Sequence, residues 1–236
     1  RDRSEFLHNL LSQKLVDVPS SFSASALDLD IQGHILHHAD IALVDGTFYL
    51  DVPTAQFDSF ADYLRKMVFW SEVTVEEANL AVLTILSPDG EFPEVPEAVF
   101  SRRVDAFVPA RMDFAVPREQ ALAVAQRLHD EAGVDFAGLM AFTAARVRNV
   151  EPELGVDLDE KAIPHEVPRL INRGEHVGAV HLNKGCYRGQ ETVARVENLG
   201  RSPRLLVMLQ LDGSAPNEPQ PGDTITTNGR KVGRLG

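Results

Sequence analysis

The residues best suited to chemistry in this sequence lie between positions 184 and 191. They read Lys-Gly-Cys-Tyr-Arg-Gly-Gln-Glu and include Cys186, the only cysteine of the chain. Gly185 and Gly189 bracket four of these residues, a spacing that predicts a tight turn with exposed backbone amides. From Gln190 onward the pattern predicts the first turns of a helix. Cys186 is therefore expected just before a helix N-terminus.

Positive charge surrounds the thiol in this segment. Lys184 and Arg188 flank Cys186, and the positive end of the helix dipole is expected close to it. Such surroundings stabilise a thiolate, the nucleophilic form of cysteine. Glu191 in the first helical turn can pair with Arg195 one turn later. The residue types are compatible with a partly exposed, activated thiol, but a lone cysteine is more often a buried one that packs as a small hydrophobic residue.

The composition is typical of a globular protein without a strong affinity for polyanions. The 236 residues are 44% hydrophobic and 25% charged, enough for one large domain or two to three small ones. The net charge of −12 gives no general attraction for nucleic-acid phosphate or anionic lipid, so direct nucleic-acid binding and membrane association are not expected. A single cysteine excludes an intrachain disulfide and an all-cysteine iron–sulfur or zinc site.

The expected location is cytoplasmic. No apolar run approaches the roughly 20 residues that cross a bilayer. No charged-then-apolar signal segment opens the chain.

Hydrophobic periodicity predicts an α+β fold in more than one unit. Strands are predicted at residues 33–43, 47–52, 81–86, 205–211 and 224–226, followed by a final short strand. Asp45-Gly46 and Asn228-Gly229 are hairpin turn signals. Four helices are predicted: a short one capped by Ser4, one from Thr54, one at residues 117–132 and one from Gln190. The second has an apolar stripe of Phe57, Phe60, Ala61 and Leu64. The third is expected to bury Leu122, Ala125 and Leu128.

The segment around Cys186 closely resembles the signature K-G-C-Y-x-G-Q-E of the YgfZ family. Residues 154–157 and 163–166 resemble the approach to this signature in actinobacterial-type members. Residues 6–18 and 33–35 resemble the N-terminal part of the wider GcvT-like family. By this resemblance Cys186 is the key residue, and the signature is completed by Lys184, Gly185, Tyr187, Gly189, Gln190 and Glu191.

The resemblance implies an α+β, cloverleaf fold of three units around a central hole that binds tetrahydrofolate or a one-carbon derivative. Residues 1–45 and 135–200 would form a discontinuous first unit, residues 46–134 a second α+β unit, and residues 201–236 the start of a C-terminal β-barrel-like unit. It also implies a role in the assembly or repair of iron–sulfur enzymes, including those that modify tRNA. Folate and iron–sulfur enzymes are thus the expected partners.

The same superfamily contains the glycine-cleavage aminomethyltransferase, which passes a one-carbon unit to tetrahydrofolate. Its G-G-x-x-D-D pattern supplies paired acids that can orient folate and stabilise positive charge. Those positions hold Leu36 and His37 here, and Asp40 lies further along the strand. The pterin-binding glutamate of its L-R-x-E pattern is matched by Arg148, so no folate contact is assigned. An accessory protein is favoured, with the transferase and a scaffold without folate binding as alternatives.

Three histidines near the predicted turn raise the question of a metal site. On a strand, His34 and His38 share one face while His37 takes the other. Three ligands from this run would need a bend, so a half-exposed strand face is favoured. Asp157, Asp159 and Glu160 lack the EF-hand spacing, and they indicate a solvated acidic loop.

Overall fold

A computed structural model describes residues 2–211, 213–214 and 217–236. The helices are α1 (Arg3–Leu10), α2 (Thr54–Met67), α3 (Ala121–Ala132), α4 (Leu139–Arg148) and α5 (Gln190–Leu199). The strands are β1 (Ser23–Leu29), β2 (Ile35–Val44), β3 (Thr47–Asp51), β4 (Leu80–Ser87), β5 (Phe100–Val104), β6 (Ala110–Pro117), β7 (Thr224–Thr227) and β8 (Arg230–Arg234). Short 3-10 turns lie at Arg118–Gln120, Pro164–Glu166 and Pro168–Leu170. The fold therefore mixes helices and sheets, and none of the described helices has the length and apolarity to span a bilayer.

The first sheet is an antiparallel meander in the order β1-β2-β3. The predicted hairpin is present, and Asp45 and Gly46 at its tip have φ angles of 47° and 79°. Strand β1 was not predicted, because Ser-Ala-Ser-Ala-Leu-Asp-Leu contains mostly small residues and lacks a clear apolar alternation. Its second half is nevertheless buried.

The second sheet has the order β4-β6-β5 and is also antiparallel. Helix α3 packs on it through Val124 and Leu128, which lie four positions apart on one helical face. The helix was predicted correctly, but Leu122 is 79% exposed, so its predicted burial is wrong. Gly133 ends the helix in the left-handed conformation at φ 67°.

Two further helix predictions need correction in detail. Ser4 lies inside α1, whose N-cap is Asp2. Helix α2 starts at Thr54 as predicted, but Gln56 is buried in it alongside Phe60 and Leu64. The face that packs on the sheet is thus set by the neighbouring strands as well as by hydrophobicity.

The first apolar core packs residues 158–193, the segment that contains Cys186, against the first sheet. Its buried members from β1 and β2 are Leu27, Leu29 and Ile35; those from later in the chain are Leu158, Ala162, Val167, Leu170, Ile171, Ala179, Val180 and Val193. A second core packs α1 and α2 against the same sheet through Phe6, Leu7, Ala39, Ile41, Phe60 and Leu64, among others. The segments before residue 45 and after residue 158 thus share one core.

The C-terminal region departs from the prediction. Strands β7 and β8 form the predicted hairpin, with φ 51° at Asn228 and 76° at Gly229. The strand predicted at residues 205–211 is wrong: in the described part of the chain this run pairs with no strand, and Leu205 and Val207 are 59% and 61% exposed. An apolar run becomes a strand only where another strand completes its hydrogen bonds. The sheets are small and not closed, so the three-unit cloverleaf and the barrel stay predictions.

Candidate functional site

The Lys184 ammonium holds one side of the cysteine loop. Its Nζ donates hydrogen bonds to the carbonyls of His8 and Leu11, at the C-terminal end of α1. It also lies 4.6 Å from the centroid of the Tyr187 ring. Burial lowers the pKa of Lys184 to about 8, partly offset by the nearby Cys186. The carbonyls and the ring both favour a cation, so Lys184 serves as an anchor between the loop and α1.

Cys186 itself is exposed. The residue after it, Tyr187, is partly buried against the first core, and its burial raises the pKa of the phenol to about 12. The Tyr187 amide donates to Oε1 of Gln190 at 3.1 Å, which ties the loop to the first turn of α5. The helix begins at Gln190, as predicted. The thiol is thus presented to solvent from a loop whose neighbours are fixed.

Gly189 is required where the loop meets the turn between β1 and β2. Its φ is 80°, and a Cβ there would lie 2.5 Å from the carbonyl oxygen of Asp30. Gly33 approaches from the other side, and a Cβ on it would lie 2.7 Å from Cβ of Thr192. Thr192 Oγ1 donates to the Gln32 carbonyl at 2.6 Å. By contrast, a Cβ on Gly185 would meet only an ordinary contact with His8 at 3.7 Å.

Arg188 does not lie beside the thiol as a second free cation. Its guanidinium donates to Oδ1 of Asp28 at 2.6 Å, and its Nε donates to the Leu29 carbonyl at 2.5 Å. The guanidinium also lies 4.7 Å from the centroid of the Tyr63 ring. The expectation that Lys184 and Arg188 both serve the thiol is therefore corrected, because Arg188 neutralises a carboxylate in the core.

Asp28 is the centre of a buried polar network. Its side chain is 0% exposed and also accepts a hydrogen bond from Nδ1 of His37 at 2.8 Å. His37 Nε2 lies 2.9 Å from Oγ of Ser59 on α2. Burial, the Asp28 charge and a hydrogen bond to Asp28 raise the pKa of Tyr63 to about 12, against the opposing effect of Arg188. One of the two positions where the transferase has paired acids thus carries a histidine that is hydrogen-bonded in the core, while Leu36 is 40% exposed.

The three histidines of the β2 region have separate surroundings. His34 precedes the strand and pairs with Asp30 at 2.9 Å. His37 points into the Asp28 network, and His38 lines a cleft on the other face of the sheet. Among the described residues, no group of three or more histidine, cysteine or acidic side chains is placed to hold a metal ion.

The cleft encloses a cavity volume of about 80 Å³ and opens to solvent. Its polar wall is made by Ser25, His38, Asp40, Arg102, Arg103, Asp105, Glu151, Arg169 and His176. His38 Nε2 is buried and has no hydrogen-bond partner among the described residues. Burial opposes ionisation of Asp40, but Arg102, His38, a hydrogen bond from Ser25 and Arg111 together outweigh it and lower the pKa of that carboxyl. A buried ring nitrogen of this kind needs a hydrogen-bond partner, which a water or a bound molecule can supply.

A buried charge cluster supports the cleft from the second sheet. Asp113, which is 0% exposed, accepts hydrogen bonds from Arg102 and Arg111. Arg102 reaches across to Asp51 at 2.8 Å and Asp40 at 3.4 Å on the first sheet. Since the charges come from both sheets, the cluster joins the two walls of the cleft.

Several predicted site residues lie outside this network. Glu191 and Arg195 are exposed on α5, and no ion pair joins them in the described part of the chain. Arg148 is exposed at the end of α4 and does not line the cleft. Among the acidic residues that do line it, Glu151 accepts from Arg111 at 3.0 Å. The sequence analysis did not single out Glu151, because the L-R-x-E pattern pointed to Arg148.

The comparisons with known proteins agree with the sequence motif. No family model matches the chain. The tRNA-modifying protein YgfZ of Photorhabdus laumondii is 30% identical over 176 residues, 69% of this chain and 51% of that protein. The one of Hamiltonella defensa is 28% identical over 176 residues, 69% and 50%. The one of Vibrio atlanticus is 24% identical over 211 residues, 86% and 62%. The chain thus spans about half to three-fifths of the length of these relatives.

The fold is also similar to a solved enzyme structure. The glycine cleavage system aminomethyltransferase T of Bartonella henselae superposes with a TM-score of 0.70 and 17% identity, covering 84% of this chain and 59% of that one. At this identity the likeness concerns the fold alone. Together these findings support a YgfZ/GcvT-like family for the chain. Within this YgfZ/GcvT-like fold, the Cys186 loop and the cleft beside His38 are the two candidate functional features.

Proposed function

We propose that this chain is part of a YgfZ-type accessory protein that binds tetrahydrofolate or a one-carbon derivative and supports the assembly or repair of iron–sulfur enzymes. Its clients would include enzymes that modify tRNA, in line with the name of its curated relatives. The functional thiol is Cys186. A cytoplasmic location and the three-unit arrangement around the folate site are parts of the same proposal.

The observation that carries this proposal is the contrast between the cysteine and its flanks. Cys186 is exposed, whereas Lys184 is anchored to α1 and Arg188 to Asp28. A buried structural cysteine would not need such anchors, because packing alone would hold it. An exposed thiol on a fixed loop can meet a partner in one orientation, which supports a chemical role.

The cleft is the proposed folate site. Tetrahydrofolate has ring N–H donors, a ring carbonyl and carboxylates at its tail. The cleft wall offers matching groups, namely the Glu151 carboxylate, the His38 imidazole and the Arg169 guanidinium. When bound, the folate would supply a carrier for a one-carbon group, while these residues bind and orient it.

Complementation tests the role of the thiol. We expect Cys186→Ala in the full-length protein to abolish rescue of iron–sulfur tRNA-thiolating enzymes in cells that lack the native protein. Since Cys186 is exposed, the variant should fold and accumulate normally. Ser101→Ala, at an exposed position on β5, is the matched control. Full rescue by Cys186→Ala at equal protein level would refute the role of the thiol.

Calorimetric titration with tetrahydrofolate tests the cleft. Saturable binding to the wild type is expected, and it should weaken at least tenfold in His38→Ala or Arg169→Ala, since each removes a polar contact. Binding should be unchanged in Cys186→Ala. No heat at high folate concentration would favour a scaffold without folate binding. Turnover with a lipoyl carrier and an aminomethyl donor at an ordinary enzymatic rate would favour the aminomethyltransferase instead.

A further inference from the structure

A serine, a histidine and an aspartate are aligned on the face of the first sheet that lies under α2. Ser59 Oγ is 2.9 Å from Nε2 of His37, and Nδ1 of His37 is 2.8 Å from Oδ2 of Asp28. The exposure decreases inward: Ser59 is exposed, His37 is 8% exposed and the Asp28 side chain is 0% exposed. Cys186 is not part of this alignment, and His37 faces away from the cleft that His38 lines.

The chemistry of Asp28 fixes the proton on the imidazole. A carboxylate can only accept, so Nδ1 of His37 must carry the hydrogen that it shares with Asp28. In the neutral ring Nε2 is then an acceptor, and the hydrogen-bond donor available to it is the Ser59 hydroxyl. The Gln56 carbonyl, at 3.1 Å from Oγ, is a second acceptor for the same proton, but the shorter contact is the one to the ring.

The surroundings hold this alignment firmly. Asp28 is further bound by Arg188 at 2.6 Å and by the Tyr63 hydroxyl, so its carboxylate cannot rotate freely. The His37 ring packs on Phe60, with ring centroids 5.0 Å apart. A histidine oriented by a buried carboxylate and bonded to an exposed hydroxyl meets the geometric requirements for an activated serine.

We propose that Ser59 is a nucleophile that takes up acyl groups from esters or thioesters, with His37 as its base and Asp28 as the positioning residue. Ser59 Oγ bonds to the acyl carbon as its proton passes to Nε2 of His37. The bond to the alcohol or thiol leaving group then breaks, and His37 returns the proton to that group. Hydrolysis of the acyl-serine uses water in the same way and restores Ser59.

The expected rate follows from the groups that are present. General-base catalysis contributes about 10²- to 10⁴-fold, while stabilisation of the oxyanion usually contributes more than any other effect in acyl transfer. The described alignment supplies the base. Acylation of Ser59 is therefore expected to exceed that of an ordinary exposed serine by about 10²- to 10⁴-fold and to give slow turnover.

A fluorophosphonate probe tests the proposal on the purified chain. The Ser59 Oγ–phosphorus bond forms, fluoride leaves and His37 takes the proton, so the adduct is stable and can be located by peptide mass spectrometry. One adduct per chain on Ser59 is expected, and p-nitrophenyl acetate should acylate the same residue. Ser59→Ala should abolish both adducts, and Ser101→Ala should change neither.

Two variants separate catalysis from structure. His37→Gln should lower the labelling rate at least 100-fold and remove its dependence on pH. Asp28→Asn should lower the rate because an amide can donate to Nδ1, which leaves the ring hydrogen on Nε2, so that Nε2 can no longer accept the Ser59 proton. If His37→Gln does not fold, the pH dependence of the wild-type labelling rate still tests the proposal. This rate must increase with pH as a single group loses its proton. Labelling spread over several serines, labelling that survives Ser59→Ala, or a flat pH profile would overturn the proposal.

Discussion

Arg188 lies in the signature loop, and its guanidinium donates a 2.6 Å hydrogen bond to Asp28, 160 positions earlier in the chain. The carboxylate is 0% exposed, whereas the arginine side chain is 34% exposed. The loop that presents Cys186 is thus attached to a charge inside the first sheet. The same carboxylate orients His37, so the cysteine loop and the Ser59 alignment share one buried anchor.

Arg188→Gln should destabilise the fold because it removes the cation that pairs with a fully buried carboxylate. The expected loss is about 2 to 4 kcal/mol in the free energy of unfolding, somewhat less than the roughly 3 to 5 kcal/mol for breaking a fully buried pair, because Arg188 is partly exposed. Urea denaturation measures it. Arg173→Gln breaks the exposed pair with Glu197 and should cost within about 1 kcal/mol. Equal losses in the two variants would contradict the anchoring role.

Gly189→Ala should cost about 2 to 4 kcal/mol in unfolding free energy, since it combines a left-handed backbone with a steric clash. The φ is 80°, and the added Cβ would lie 2.5 Å from the Asp30 carbonyl. Gly133→Ala is a close control, because its φ is 67° and an added Cβ meets nothing within 4 Å. The control should lose only about 1 kcal/mol. A similar loss at both positions would show that the contact with Asp30 does not matter.

The parts of the fold that local pattern determines were predictable. The hairpins at Asp45-Gly46 and Asn228-Gly229 and the helix after Thr54 are present because their signals lie within a few residues. Strand β5 was missed because it contains Arg102, which is polar yet buried. Its burial depends on carboxylates from other strands, a relationship that the local sequence does not contain.

The candidate site shows the same division. The turn and the helix start followed from the signature itself, whereas the exposure of Cys186 was one of two alternatives that the sequence left open. The partner of Arg188 did not, since Asp28 lies on a strand that has no periodic signal. The cleft likewise depends on residues from both sheets, so Glu151 could be recognised only once the sheets were placed.

Asp113→Ala should be among the most damaging single changes. It removes the carboxylate that accepts from both Arg102 and Arg111 and leaves two buried cations underpaired. Losing one partner of a buried pair costs about 3 to 5 kcal/mol. Thermal and urea unfolding measure the loss. Asp159→Ala, which breaks the more exposed pair with Arg204, is the comparison and should cost much less. A loss at Asp113 no larger than that at Asp159 would rule out a structural role for the cluster.

The stability contributed by Lys184 should depend on pH. Burial lowers its pKa in the folded protein from 10.5 to about 8. Between these values the unfolded chain binds more protons than the native one at this position, so the free energy of unfolding attributable to Lys184 rises as pH increases from 8 to 10.5. The difference in unfolding free energy between wild type and Lys184→Met should therefore shift in favour of the wild type over this interval. Urea titrations at several pH values measure it, and Lys66→Met at an exposed position of α2 gives the baseline. The difference in unfolding free energy could instead stay constant across the interval or shift against the wild type. Either result would mean that folding does not lower the pKa of Lys184, because the contacts with His8, Leu11 and Tyr187 stabilise the charged form at least as well as water does.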